Sequence, residues 1–236
     1  MIIGSGLIAE SFKKNKMFID TLNENCLLFA SGVSNSSETE KSKFKREYDF
    51  LVNSLENNNH EKVIYFSTLS IYDPTISSSN YIEHKLLIEE YLFSLSRKIL
   101  VLRAPNIVGY GGNKKTLMNH FFSSVLNEKE IVLWRNAKRN LLAIDHLVEM
   151  TIELLQSQYV GRINIGFPFS YSPHEIIHEI EYFLNKRAKV KTLNKGQDYL
   201  KRLELDKNIK YYSNFPLYGK DNYINFLLKK YYSEYL

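Results

Sequence analysis

The chain is poor in residues that staple or interrupt a fold: it has one cysteine, five prolines and one tryptophan in 236 residues. The lone thiol, Cys26, excludes an internal disulfide framework, and with Leu27 and Leu28 beside it reads as buried and inert. No apolar run approaches the length of a membrane-spanning helix, which excludes a membrane partner of that kind. No secretory leader is expected either, because Met1-Ile2-Ile3 is broken at once by Gly4 and Gly6. The expected compartment is therefore the cytoplasm. Arg-rich runs are missing, and the 31 basic residues are scattered among 26 acidic ones. The net charge of +5 favours anionic partners. With no nucleic-acid motif in view, a phosphate-bearing small molecule is expected rather than nucleic acid.

What is present is apolar and periodic. Hydrophobic residues make up 44%, enough for a sizeable core. Short apolar runs at Met1–Ile3, Cys26–Ala30, Lys62–Phe66, Ile99–Leu102, Ile131–Trp134 and Ile163–Ile165 read as strands. Helical patterns stand between them, at about residues 7–16, 44–55, 81–95, 116–126, 145–156 and 173–184. On the second helix Phe44, Tyr48, Leu51, Val52 and Leu55 share a face, and Asn57-Asn58-Asn59 ends it. Asn80 with Glu83 three residues later predicts a capping box at the start of the third. Strand–helix alternation is the signature of a doubly wound, Rossmann-like parallel sheet. The more polar, Lys/Tyr-rich end suggests a small C-terminal lobe. We expect a first region over residues 1–160 and a smaller substrate-binding lobe over 161–236, interleaved with it.

Gly4-x-Gly6-x-x-Ala9 fits the G-x-G-x-x-G/A dinucleotide turn. Gly4 permits the tight turn, Gly6 lets the backbone approach a pyrophosphate, and Ala9 lets helix and sheet pack closely. The helix N-terminus then presents N–H groups and a positive dipole end to the anion. A tight β–α turn without a ligand would need the same residues. The acid that usually meets the ribose hydroxyls about 20 residues on is absent; the chain reaches Phe29-Ala30-Ser31-Gly32 instead. Lys13, Lys14 and Lys16 either favour a cofactor phosphate or form a solvated helix face.

Tyr81 and Lys85 are four residues apart and share a helix face. The preceding strand ends in Ser67-Thr68, where ligands bind in open α/β sheets. A tyrosine with an ordinary pKa of about 10 is a poor base at neutral pH, and a neighbouring cation stabilises its phenolate. Thr68 or Ser67 would hold a substrate oxygen near Tyr81. An ordinary helix face explains Tyr and Lys at this spacing equally well; the ordered combination with the glycine turn and the Ser-Thr strand end is harder to reach by chance.

With these segments, and with Leu102-Arg103-Ala104-Pro105-Asn106-Ile107-Val108-Gly109 and Arg139-Asn140-Leu141-Leu142-Ala143-Ile144-Asp145-His146, the sequence resembles the NAD-dependent epimerase/dehydratase family of extended short-chain dehydrogenases/reductases. The resemblance implies NAD or NADP as cofactor and a nucleotide-linked sugar as substrate. It implies that Gly4, Ser5, Gly6, Leu7, Ile8, Ala30, Gly32, Lys85 and Pro105 hold the cofactor. Thr68, Tyr81 and Lys85 become the catalytic set, and Ser67, Asn106 and Arg139 face the substrate, Arg139 at its diphosphate. Asp145 opens the helix after Arg139, and a plain N-cap is its other reading. His84 is expected at the surface or in a dimer contact, since family members often pair as homodimers through this helix. No metal is implied.

Two departures stand out. The segment that carries the family's second and third strands is largely absent, and Thr68 and Tyr81 are unusually close in sequence, so Asp73 to Ser79 must form a compact loop. Leu69 follows Thr68 where dehydratases of the family tend to carry an acid, which ranks dehydration behind reduction and epimerisation. The alternative expectation is a non-catalytic dinucleotide-binding regulator or scaffold of the same fold.

Overall fold

Five strands set the frame, the inner three buried on both faces at their centres. They are β1 (Ile2–Ile3), β2 (Cys26–Phe29), β3 (Lys62–Thr68), β4 (Lys98–Ala104) and β8 (Gly161–Asn164), in that spatial order and all parallel. Ile2, Leu28, Ile64, Leu100 and Gly161 lie in one row across them. The computed structural model describes residues 1–22, 25–57, 59–199, 205, 210–217 and 219–235. Asn58 of the expected helix break, and residues 200–204 and 206–209 of the expected lobe, lie outside the described residues.

Strand residues alternate between two helical layers, as a period of two requires. Leu28, Ile64 and Leu100 pack with Phe12 and Phe18, which belong to α1 (Leu7–Lys14) and α2 (Lys16–Thr21), and with α6 (Ile144–Gln156). Leu27, Val63 and Ile99 pack on the other side, against α3 (Lys41–Glu56) and α4 (Asn80–Ser94). Every step from β1 to β8 goes in the same direction across the sheet, yet the outer two connections use one face and the inner two the other. The two pairs of crossovers therefore have opposite hand, and the near-universal right-handed rule fits the inner βαβ units. β1 stands at the edge of this sheet among the described residues.

The remaining elements build above the C-terminal ends of the strands. β5 (Asn106–Val108) pairs with β7 (Leu141–Ala143), and β6 (Glu130–Trp134) with β9 (Lys189–Leu193), both parallel. α5 (Leu117–Leu126), α7 (Pro173–Leu184) and α8 (Gly219–Tyr231) pack around them. β8 joins the main sheet, so the chain passes between sheet and upper lobe more than once. Sequence periodicity missed β5, β7 and β9, which are three to five residues long, and α8.

Some local readings shift. The N-cap of α4 is Ser79, whose hydroxyl accepts from the Ile82 amide at 3.3 Å, and Asn80 is already helical. The capping box instead forms at α7, between Ser172 and Glu175, with Pro173 opening the helix. The buried face of α3 is turned from the one expected: Glu47 and Ser54 are buried with Phe44, Leu51 and Leu55, whereas Tyr48 and Val52 are only partly covered.

Candidate active site

β1 and β2 stop at Ile3 and Phe29, while β3 and β4 run on through Thr68 and Ala104. This step leaves a cleft of about 1200 Å³ above the short strands. The residues expected to hold cofactor, to catalyse or to face substrate line it, Gly4 excepted; Ala9, Lys13 and Lys16 do not line it, whereas Lys14 does.

Gly4 has φ of +132°, and a Cβ there would sit 2.4 Å from the Ala30 carbonyl oxygen and 3.0 Å from the Ala9 Cβ. Glycine is required by both backbone angle and space. Ala9 is fully buried, so a larger side chain would push α1 off the sheet. Gly6 differs. It is the N-cap of α1, has no side-chain cap, and a Cβ built on it would meet nothing within 4 Å. The backbone at the start of α1 thus borders open cleft, and its first-turn N–H groups have no intrahelical acceptors.

On the opposite wall, β3 delivers Ser67 and Thr68, and the first turns of α4 deliver Tyr81 and Lys85. The Thr68 hydroxyl accepts from the Ser70 amide at 3.0 Å and lines the cleft together with the Tyr81 phenol. Lys85 Nζ stands 5.9 Å from the centre of the Tyr81 ring. The loop between Thr68 and Tyr81 is compact, wound by Asp73 Oδ1 accepting from the Thr75 amide at 3.0 Å and by successive turns to Ser79. Burial pushes the Tyr81 phenol above its ordinary value, and the pull of Lys85 and Thr68 the other way does not overcome it.

The main finding that sequence did not anticipate is Glu47. Its carboxylate is fully buried, 2.9 Å from Lys85 Nζ, and accepts from the Tyr65 hydroxyl at 2.7 Å and from the Val33 amide at 2.6 Å. Burial alone would raise this carboxyl, but Lys85, His84 and the Val33 amide together hold it well below the usual carboxylate range. His84 is not at the surface. It is buried against the Phe44 ring, with Nε2 3.0 Å from Glu47 Oε2. The helix turn that carries Lys85 to the cleft also turns His84 toward α3, which corrects the surface or dimer expectation.

A second buried acid, Glu89, lies one turn beyond Lys85. It takes the Ser67 hydroxyl at 2.5 Å, the Arg103 guanidinium through two bonds of 3.0 and 2.6 Å, and Arg162 Nε at 3.0 Å. Ser67 thus lines the cleft with its hydrogen donated inward. Asn106 is likewise tied down, its amide donating to the Asn140 carbonyl at 3.0 Å. Arg139 reaches the cleft from the segment before β7, with Nη1 3.8 Å from the buried carboxylate of Asp73. Glu47 stands as an acid on an apolar helix stripe, between Phe44 and Leu51, and Glu89 lies beside Ile88 and Leu92 one turn after Lys85. Asp73 carried no such signal. Among the described residues no cluster of His, Cys, Asp and Glu could hold a metal ion.

Fold and site together define a class: an open parallel α/β protein of the Rossmann type with a hydroxyl–tyrosine–lysine set at the C-terminal ends of its strands. The particular family follows from sequence. Residues 30–166 match the model of the NAD dependent epimerase/dehydratase family, more than half of the chain, and the chain belongs to that family. The match starts after the glycine turn. No curated protein matches the sequence. Among solved structures, RMD from Pseudomonas aeruginosa complexed with NADPH is similar with a TM-score of 0.69 and 11% identity, over 99% of this chain and 98% of that one. UDP-glucose 4-epimerase from Thermus thermophilus, complexed with NAD, gives 0.67 and 15%, over 87% and 77%. dTDP-glucose 4,6-dehydratase from Bacillus anthracis, in complex with NAD, gives 0.64 and 15%, over 89% and 74%. At these identities the likeness is one of fold.

Proposed function

We propose that the chain is an NAD(P)-dependent oxidoreductase or epimerase acting on a nucleotide-linked sugar, with Tyr81 as the group that moves the proton. The observation that carries this reading is that one cleft joins an open glycine turn at a helix N-terminus to Thr68, Tyr81 and Lys85. A dinucleotide fits at the turn: the space over Gly6 and the start of α1 suit a pyrophosphate. A bound dinucleotide would supply hydride transfer to or from a sugar carbon. The chain's own residues do the rest. Thr68 orients the sugar oxygen and Tyr81 gives or takes its proton. Pro105 and Asn106 border the nicotinamide and sugar, and Arg139, which is ion-paired to Asp73 at 3.8 Å, meets the diphosphate. The solved relatives complexed with NAD or NADPH support the cofactor class. The family resemblance supports a cytoplasmic homodimer, and Phe50 and Leu87 stand exposed on α3 and α4 as that pairing would need.

Thermal-shift measurements with NAD, NADH, NADP and NADPH, then with UDP, dTDP, GDP and CDP added to the best of them, test the reading. A ligand at a hundred times its dissociation constant adds about 2.7 kcal/mol of stability. Stabilisation by one dinucleotide and one nucleoside diphosphate is the expected result. Silence toward every dinucleotide would favour the regulator or scaffold reading, for which the edge position of β1 is the supporting observation.

A further inference from the structure

One buried charge has no part in moving a proton from tyrosine to sugar. Glu47 reaches across from α3 to Lys85, and the two make a buried ion pair bridged by the Tyr65 hydroxyl, which donates to Glu47 at 2.7 Å and accepts from Lys85 at 2.8 Å. A carboxylate with none of its surface exposed is costly to bury unless its partners are fixed. Here they come from two elements and a loop: Lys85 and His84 of α4, Tyr65 of β3, and the Val33 amide. Gly32 makes the room, since a Cβ there would stand 2.8 Å from Glu47 Oε1 and 2.9 Å from Lys85 Nζ.

The consequence falls on Tyr81. The groups that face it are Lys85 from its own helix, Thr68 and Tyr65 from β3, and Glu47 from α3. Glu89, the next acid on α4, is matched by Arg103 and Arg162. Tyr81 therefore sees a cation whose counter-charge lies 2.9 Å behind it, and the field of such a pair decays faster with distance than that of a bare charge. The lysine is positioned at the phenol but cannot act on it as an unopposed cation.

We propose that Glu47 is a positioning residue that counters the Lys85 charge and keeps the Tyr81 phenol in its proton-donating form, so that the site reduces a carbonyl and its substrate is a keto sugar. The inference rests on the enzymatic reading of the cleft. Tyr81 gives its O–H proton to the carbonyl oxygen as the carbonyl carbon accepts hydride from the reduced dinucleotide. The C=O π bond breaks, a C–H and an O–H bond form, the ketone becomes an alcohol, the dinucleotide is oxidised, and solvent reprotonates the phenolate. A reaction that generates a ketone on the sugar, by oxidation or by loss of water, must then supply the substrate.

The test is a titration of Tyr81 in the cofactor-free protein, read by ultraviolet absorbance of tyrosinate as the difference between wild type and Tyr81→Phe. The same difference is taken between Glu47→Gln and the Glu47→Gln/Tyr81→Phe double variant. Wild-type Tyr81 should ionise above the ordinary tyrosine value of about 10, and its midpoint should fall by a full pH unit or more in Glu47→Gln. Coincident midpoints in the two backgrounds would overturn the assignment. Should Glu47→Gln fail to fold, the wild-type midpoint decides alone: ionisation at or below the ordinary value means that Glu47 does not keep the phenol protonated. A fall in midpoint together with no dinucleotide-dependent thermal shift would leave the role of Glu47 standing and remove the enzymatic reading instead.

Discussion

The two walls of the cleft are built on opposite plans. At the glycine turn, Gly6 and the start of α1 face open space, and no side chain caps the helix. At the catalytic wall, Lys85, Glu47, Tyr65, Ser67 and Glu89 are buried and engaged with one another. The contrast is physical. Backbone N–H groups at an edge keep water as a partner until a ligand arrives, whereas buried charges must be satisfied within the fold. One wall is therefore finished by what binds; the other is finished by folding.

Substitutions on each wall should show this difference. The largest effect is expected from Tyr81→Phe, which removes the proton path and leaves the ring. Turnover should drop by roughly 10²–10⁴-fold with an unchanged melting temperature, and near-normal turnover would sink the assigned chemistry. Glu89→Gln strikes the finished wall. It leaves two arginines without their carboxylate and should cost about 3–5 kcal/mol in denaturant unfolding; a loss under about 1 kcal/mol would mean that the network is not a structural unit. Gly6→Val strikes the open wall. The fold should keep its stability while dinucleotide affinity, measured by calorimetry, falls by about 100-fold or more, which is about 2.7 kcal/mol. Gly4→Ala is its mirror: the positive φ and the 2.4 Å approach to Ala30 should make it lose stability even without ligand. Equal behaviour of the two glycines would erase the comparison.

A smaller effect marks α6, where it meets the C-terminal aromatic residues. Burial holds the His146 imidazole at a pKa of about 4, below the ordinary 6.5, with Lys230 adding to the shift. The unfolded chain then binds the proton more readily than the native one, so stability is complete above about pH 6.5 and declines as pH falls toward 4. By pH 5 the loss should reach about 2 kcal/mol. His146→Gln should flatten that limb of the unfolding curve, and an unaltered limb would assign the acid sensitivity elsewhere.

Much of the frame was legible in the sequence because the inner strands of the main sheet are buried on both faces and read as plain apolar runs. Cys26–Phe29 and Lys98–Ala104 are of that kind. The glycine turn and the Tyr81/Lys85 pair were legible for a different reason: their spacing encodes geometry directly. Three things were not. β5, β7 and β9 are too short for a period to show. The N-cap passed from Asn80 to Ser79 because both residues are good caps and only the backbone decides between them. Glu47 and His84 depend on how α3 and α4 pack face to face, which no local pattern records. An acid on an apolar stripe can be noticed in a sequence, but its partner cannot be assigned from there.

The edge position of β1 has a consequence of its own. In a central crevice a long ligand is gripped along its whole length by chain on both sides. Here the glycine turn stands at the rim of the sheet, and the described residues place no further strand beyond it. A dinucleotide seated there would have its adenosine half at the rim, flanked by side chains of α1 and of the loop after β2 and not by further strands among the described residues. The adenosine half would then gain less from the chain, so nicotinamide mononucleotide should compete with the full dinucleotide more evenly than it could in a site enclosed on both sides.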